Sequence, residues 1–348
     1  MDVIITKKDL ILGSIPYFIG WFLIYYAFVL YHKHRKRIFL FIPILYIALI
    51  VGLRNSGTDT YTYEDIIKKI YTQKFYNIEP AFSLISYFLM HLTDSSVISL
   101  RIIGLLFVSL LFIYVLRASR YENIYLFLYF LPVFGYQYGM NAVRAGLAFA
   151  FILLAYQELR RNNLITFNFL NFIAITFHIQ SIFWSLMLIL YSYNMDYKKR
   201  IFSIGISLLA LLTVLASPYD LKGKIGLYRE YASPTFKSKE DTSNTSESNQ
   251  TKENIQESKI VIPSGVSKTT LALILYISFL LSPISMKARI YTIPLIALVS
   301  LFQLLSIKYY AALRFLDMIA ILLPMILAMF YEKEKSNLPK IFLIGLII

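Results

Sequence analysis

The sequence contains no cysteine and little charge. The absence of cysteine from all 348 residues excludes disulfides and thiolate chemistry. Only 16% of the residues are charged and 58% are hydrophobic, whereas soluble domains average about 25% charged and about 45–50% apolar residues. This composition argues against an ordinary soluble domain and indicates a membrane protein.

Several sequence motifs of common functional classes are absent as well. The chain has no glycine-rich nucleotide-binding loop and no His/Asp/Glu cluster at metal-ligand spacing. We therefore expect no cofactor and no tightly bound metal. Although the net charge is +14, much of it lies in short basic loops that set membrane topology, so we expect no nucleic-acid partner.

Long apolar segments recur along the whole chain. A helix needs about 20 apolar residues to cross the hydrocarbon core of a bilayer, and several segments reach that length. We predict an all-α polytopic membrane protein with about 10–12 transmembrane helices, forming a single transmembrane domain over residues 1–348. The apolar segments are 11–31, 38–53, 97–116, 122–134, 142–157, 164–177, 179–193, 201–216, 269–285, 290–307 and 311–331.

Clusters of Lys and Arg between these segments predict the orientation, because cytoplasmic loops carry an excess of both residues. If the clusters are cytoplasmic, residues 54–78 form an outer loop and residues 79–92 an interfacial or re-entrant helix at the outer surface. Residues 217–268 then form a long outer loop. Its part 233–260 is rich in Ser, Thr, Asn, Glu and Lys, which predicts disorder. The basic clusters lie at 32–37, 117–120, 160–161, 198–200, 287–289 and 332–335.

A polar motif, GLRNSGTDTYTY, follows the second apolar segment. Its arginine, Arg54, lies at the end of a predicted span, where the side chain can reach the membrane surface or bind a phosphate. Asp59 is either part of the cap of a short helix or a candidate base. Tyr63 ends the motif and is a candidate substrate-binding residue.

Two further polar motifs interrupt apolar segments. Asn141 and Arg144 are three positions apart, which predicts that they share a helix face. A charge at or below the membrane surface needs an anionic partner or a function. His178 lies inside an apolar stretch and is either a hydrogen-bonded structural residue or a candidate base, because histidine titrates nearest neutral pH.

The remaining candidates have equally plain structural explanations. Glu79 precedes a proline that suits the first position of a helix, so it is either a helix N-terminal charge or a candidate base. Arg314 forms a local ion pair with Asp317 or binds substrate. Tyr228 and Arg229 belong to the aromatic and basic segment SPYDLKGKIGLYREY, which could order over a membrane-facing site.

The predicted topology places all of these residues at the outer face. Arginines with carboxylates and a histidine suit a diphosphate-bearing substrate and acid/base chemistry. The candidate catalytic residues are His178, Asp59 and Glu79, and the candidate diphosphate- or glycan-binding residues are Arg54, Tyr63, Asn141, Arg144, Tyr228, Arg229 and Arg314.

Four motifs, in their order and spacing, resemble the EpsG family, a Wzy-like group of bacterial exopolysaccharide polymerases. They are GLRNSGTDTYTY, NIEPAFSLI, NAVRAGLAFAF and FHIQS. The resemblance covers residues 38–193 and extends to LRFLD around Arg314. Two positions depart from the family pattern: Ala145 stands where Gln is usual, and Gln180 stands where Ser or Thr is usual.

The resemblance implies a GT-C-like architecture with an outer-face cavity and a metal-independent, inverting glycosyltransferase in the bacterial cytoplasmic membrane. Its substrate would be a polyprenyl-diphosphate-linked oligosaccharide, and the growing glycan would pass from one lipid onto the non-reducing end of the next repeat unit. A flippase and a chain-length regulator would be its protein partners. The residues themselves leave three alternatives open: a lipid-linked oligosaccharide flippase or other transporter, a membrane O-acyltransferase with His178 as base, and a lipid-linked sugar ligase.

Overall fold

The computed structural model describes residues 7–54, 59–73, 78–192, 195–217, 273–282, 284–306 and 310–333. All regular elements in these ranges are helical, which confirms the predicted all-α polytopic membrane class. The chain divides into two compact units, one up to residue 220 and one after it. The GT-C-like architecture, the outer loops and the interfacial helix remain predictions, and residues 233–260 lie outside the described ranges.

Within the described ranges, the first unit contains ten α-helices and a π-helical segment. The α-helices are α1 (Lys7–His34), α2 (Ile38–Gly52), α3 (Thr60–Gln73), α4 (Pro80–Thr93), α5 (Ser96–Arg117), α6 (Arg120–Tyr125), α7 (Val143–Arg160), α8 (Leu164–Phe177), α9 (Ser181–Tyr191) and α10 (Tyr197–Ala216). In the second unit, residues 273–280, Met286–Ser306 and Tyr310–Lys333 are helical.

Four helices of the described ranges are long and apolar enough to cross a membrane: Ile15–His34, Ser96–Arg117, Tyr197–Ala216 and Met286–Leu305. Four shorter apolar helices accompany them. Large apolar side chains are exposed along several of these helices, for example Phe22 on α1, Leu45 on α2 and Leu212 on α10. A row of exposed apolar side chains suits a surface that faces lipid. The total of 10–12 spans remains a prediction.

Local sequence signals account for where several helices begin. Pro80 is the first residue of α4, as predicted from its fixed φ. The hydroxyl of Ser95 accepts a hydrogen bond from the backbone N–H of Ile98 at the start of α5, and the carboxylate of Asp196 accepts one from the N–H of Lys199 at the start of α10. These caps satisfy N–H groups that the first helical turn leaves without partners.

An unusual wide helix links α6 to α7. Residues Leu126–Gly135 and Gln137–Asn141 have π-helical hydrogen bonding, and the N–H of Ala142 donates to the carbonyl of Gln137 at 2.8 Å. The helix breaks at Ala142, where φ is −101° and ψ is 52°. π-Helical turns are rare and frequently lie at functional sites. This segment ends just before Arg144, one of the predicted site residues.

Ionic side chains tie four helices together at the far end of α7. Glu158 accepts hydrogen bonds from Arg117 of α5 and from Asn163 before α8, both at 2.9 Å. Arg160 lies 3.4 Å from the carboxylate of Glu122, which also caps α6. This network fixes the positions of α5, α6, α7 and α8 relative to one another, and the opposite end of α7 carries Arg144.

Candidate functional site

An ion pair between Glu79 and Arg144 forms the centre of the site. Glu79 lies directly before α4, and its side chain is only 1% exposed. It accepts a hydrogen bond from Nη1 of Arg144, in the first turn of α7, whose side chain remains 20% exposed. A buried carboxylate needs such a partner because its charge is costly to remove from water. Arg144 therefore has an anionic partner, which is one of the two alternatives that the sequence predicted for it.

Two aromatic rings complete the surroundings of Arg144. Its Nε donates to the hydroxyl of Tyr63 on α3 at 3.5 Å. The guanidinium carbon lies 5.7 Å from the centre of the Tyr63 ring and 5.9 Å from that of Phe82 on α4. Cations at this distance are attracted to the face of an aromatic ring. The two rings and the carboxylate therefore restrict the orientation of the guanidinium.

His178 lies against the other oxygen of the same carboxylate. Its Nδ1 is 3.3 Å from Oε1 of Glu79, and its Nε2 is 3.1 Å from Oε1 of Gln180. The histidine ends α8 in an extended conformation, and Ser181 begins α9. The break between these helices exposes the ring at the site, with 16% of the side chain accessible. Glu79 thus bridges a cation and a candidate base.

A second arginine, Arg54, is buried beside this network. Its Nη1 donates to the carbonyls of Gly139 and Met140, at 3.2 and 2.6 Å, near the end of the π-helical segment. Its Nε and Nη2 are buried and have no hydrogen-bond partner among the described residues. Burial lowers the pKa of this guanidinium, and the nearby carboxylate of Glu64 opposes that shift. Two donor nitrogens of a buried cation therefore lack partners, as they would if an anion or an ordered water bound there.

A third arginine, Arg101, reaches the same region from α5. Its Nε donates to the backbone carbonyl of Arg54 at 3.3 Å, and the positive charge of Arg101 further lowers the pKa of Arg54. Two neighbouring guanidinium groups repel each other, and an anion placed between them relieves that repulsion.

The other predicted site residues do not join this network. Asp59 is exposed directly before α3, and within the described ranges no side-chain contact links it to Glu79 or His178. Asn141 has a buried amide oxygen that no described residue contacts as a hydrogen-bond donor. The prediction that Asn141 shares a helix face with Arg144 is wrong, because the helix breaks at Ala142 between them.

Three predicted residues cannot be placed in the site. Tyr228 and Arg229 lie outside the described residues. Arg314 belongs to the helix Tyr310–Lys333, outside the part whose side chains the structure describes. Their proposed roles remain predictions. In the part of the chain that the structure describes, no three His, Asp or Glu side chains come together as metal ligands would.

Sequence reasoning missed three contributors: Phe82, Arg101 and Gln180. Phe82 belongs to the predicted helix after Glu79, but an apolar residue there carries no signal of its contact with a cation. Arg101 lies in the first two turns of an apolar helix, and a charge within such a helix is a signal that could have identified it. Gln180 was noted only because it departs from the family pattern.

The fold and the site together define a class: a helical membrane protein with a partly buried cluster of arginines, a carboxylate and a histidine at one end of α5 and α7. The family model described as the EpsG family matches residues 37–348, and the chain belongs to that family. Membership indicates an exopolysaccharide-polymerase-like function. No curated protein and no solved structure matches the chain.

Proposed function

We propose that the protein is a polysaccharide polymerase. It transfers a growing glycan from polyprenyl diphosphate onto the non-reducing end of a lipid-linked repeat unit, with inversion at the transferred sugar. The observation that carries this proposal is the bridge from Arg144 through Glu79 to His178, which places a phosphate-binding type of cation beside a candidate base. Membership of the EpsG family supports the same reaction class.

The diphosphate of the donor lipid binds to the arginines of the site. Arg54 has two donor nitrogens without partners among the described residues, and Arg144 is partly exposed. A guanidinium matches phosphate oxygens with its fixed fork of donors and stays charged when buried. Charge builds on the departing diphosphate as its bond to the sugar breaks, so these contacts strengthen in the transition state. Arg314, Tyr228 and Arg229 remain candidates for the same role.

The acceptor hydroxyl loses its proton to His178. Its oxygen attacks the anomeric carbon of the donor sugar, the bond from that carbon to the diphosphate oxygen breaks, and polyprenyl diphosphate leaves with the electron pair. The proton passes to the imidazole, while Glu79 stabilises the positive charge that the ring acquires. Glu79 is less suited than His178 to be the base, because both of its oxygens already contact positively polarised groups. Asp59 remains the second candidate base.

The site faces the outside of the bacterial cytoplasmic membrane. Two helices support this orientation, since the site lies near the start of each and each ends in a short loop with a cluster of arginines, at 117–120 and 160–161. Arg101 lies near the start of α5 and Arg117 ends it, and Arg144 lies at the start of α7 and Arg160 ends it. The positive-inside rule assigns the basic ends to the cytoplasm. A flippase that delivers the lipid-linked repeat and a regulator of chain length are its proposed partners.

Incubation of the purified protein with lipid-linked repeat units tests the function. We expect a ladder of longer lipid-linked products without any nucleotide sugar, and no ladder from the His178→Ala variant. Transfer of a single repeat to an acceptor other than the lipid-linked repeat would instead identify a ligase. Failure of the folded protein to elongate any lipid-linked repeat, over a range of repeat structures, would contradict the proposal.

A further inference from the structure

The imidazole ring of His178 has a partner at each nitrogen. Nδ1 lies 3.3 Å from Oε1 of Glu79, which is 99 positions earlier in the chain, and Nε2 lies 3.1 Å from Oε1 of Gln180. Gln180 directly precedes α9, so it lies in the same break between helices as the histidine. The ring is therefore held in one orientation by a distant carboxylate and a neighbouring amide.

The carboxylate determines which ring nitrogen carries the proton. The guanidinium of Arg144 against Glu79 favours the ionised carboxylate, and an ionised carboxylate can only accept hydrogen bonds. Nδ1 must then be the donor. In a neutral His178 ring the lone pair consequently lies on Nε2, which is the nitrogen that faces Gln180.

The amide of Gln180 can satisfy Nε2 in both protonation states. A primary amide has an acceptor oxygen and a donor nitrogen, and a half-turn of the amide exchanges them. Its nitrogen donates to the lone pair of the neutral ring, and its oxygen accepts from Nε2–H of the charged ring. A sugar hydroxyl has the same two capacities, so both groups suit the same place beside the ring.

We propose that Gln180 is a positioning residue that holds Nε2 of His178 in the resting site and is replaced there by the acceptor hydroxyl. The inference rests on the proposed function, in which His178 receives the proton of that hydroxyl. On binding, the acceptor oxygen takes the position of the amide at Nε2. Its proton then moves to Nε2 as the oxygen bonds to the anomeric carbon.

Within the described ranges, Glu79 is the charged side chain at hydrogen-bonding distance from the ring. Glu79 faces it from the N-terminal end of α4, with Arg144 of α7 and Tyr63 of α3 behind that carboxylate. On the side of α10, Ala210 and Val214 form an apolar cluster that includes Ile175, Ile179 and Ile182. Substitutions at position 180 should therefore act on the protonation of His178 directly.

Nitrogen NMR of a single-histidine protein tests the inference. The chain has four histidines, so the changes His32→Gln, His34→Gln and His91→Gln leave only His178 to be observed. With 15N-labelled histidine in lipid nanodiscs, we expect the neutral ring to carry its proton on Nδ1.

A titration of the same signal tests the role of Gln180. Over the range of about pH 5–9, Gln180→Glu should move the midpoint of ring protonation upward by roughly one pH unit, because a carboxylate favours the charged ring. Gln180→Met removes the partner of Nε2 in both protonation states. It should move the midpoint downward, because the hydrogen bond lost by the charged ring is the stronger of the two.

Two results would overturn the inference. One is a neutral ring protonated on Nε2, and the other is an unchanged midpoint of ring protonation in both Gln180→Glu and Gln180→Met. The two substitutions are expected to act in opposite directions, so Gln180→Glu alone suffices if Gln180→Met does not fold. None of these measurements needs substrate. Lack of polymerase activity would contradict the proposed function while the titrations still reported on Gln180.

Discussion

Glu79 and Arg144 lie 65 positions apart in the chain and form a partly buried ion pair that also contacts His178. The two residues belong to different segments, since Glu79 directly precedes α4 and Arg144 lies in α7. The pair therefore stabilises the contact between two distant segments and at the same time places the imidazole. Substitutions can therefore test the contribution of the pair to protein stability and its contribution to activity in separate measurements.

Removal of the carboxylate should destabilise the protein. Glu79→Gln leaves the guanidinium of Arg144 without its anion, and breaking a buried pair from one side costs about 3–5 kcal/mol. Thermal unfolding in detergent measures the loss. The double variant Glu79→Gln with Arg144→Met should lose much less than the sum of the two single changes. Additive losses would show that the two charges do not interact. Asp65→Asn, at an exposed pair with Lys69, is the matched control and should cost about 0–1 kcal/mol.

The planar guanidinium geometry of Arg144 should contribute more to the polymerisation rate than its positive charge does. Arg144→Lys keeps a cation but cannot contact Glu79, Tyr63 and a phosphate with one planar group, so we expect polymerisation to fall by about 10²-fold. The measurement is the rate of product-ladder formation at matched protein abundance. Arg161→Lys, in the ionic network at the far end of α7, should keep near-normal activity. Near-normal chain length and yield from Arg144→Ala would remove Arg144 from the diphosphate site.

The imidazole of His178 should be required for proton transfer. His178→Ala is expected to reduce the rate by roughly 10²–10⁴-fold, the usual contribution of a general base. Normal protein levels in the membrane should accompany that loss. His91→Ala removes an exposed histidine from the last turn of α4 and should leave the rate unchanged. If His178→Ala keeps the normal rate, as His91→Ala should, Asp59 becomes the leading candidate base.

Two helical glycines should respond oppositely to alanine. A Cβ atom at Gly146 of α7 would lie 2.5 Å from the carbonyl oxygen of Tyr138, which belongs to the backbone and cannot move aside easily. We expect Gly146→Ala to lower stability by about 1–3 kcal/mol through overpacking. At Gly205 of α10 a Cβ atom meets nothing within 4 Å among the described residues, so Gly205→Ala should add stability of about 1 kcal/mol or less. Melting temperatures that shift in the same direction would contradict this packing.

Cysteine labelling can test the orientation of the protein in the membrane, because the native chain contains no cysteine. Asp59 and His34 are both exposed in the structure, and basic residues surround His34. In intact cells, a membrane-impermeant thiol reagent should label Asp59→Cys and should label His34→Cys only after the membrane is opened. The reverse pattern would place the site in the cytoplasm.

The sequence by itself determined the class of the protein and most of the side chains of the site. Continuous apolar segments predicted an all-helical membrane protein, since backbone groups inside a bilayer must pair within their own segment. A local signal also predicted where a helix begins, as Pro80 does for α4. The four motifs predicted the EpsG family, which the family model confirms.

Only the tertiary structure determined which of these side chains meet. Glu79 lies 65 positions from Arg144 and 99 positions from His178, and no local pattern encodes the distance between such segments. The break at Ala142 is a second example, because the spacing of Asn141 and Arg144 predicts one continuous helix. Contacts of Phe82, Arg101 and Gln180 with the site depend on how α4, α5 and α8 pack. Periodicity and charge act within a segment, whereas a site formed by several helices depends on long-range packing.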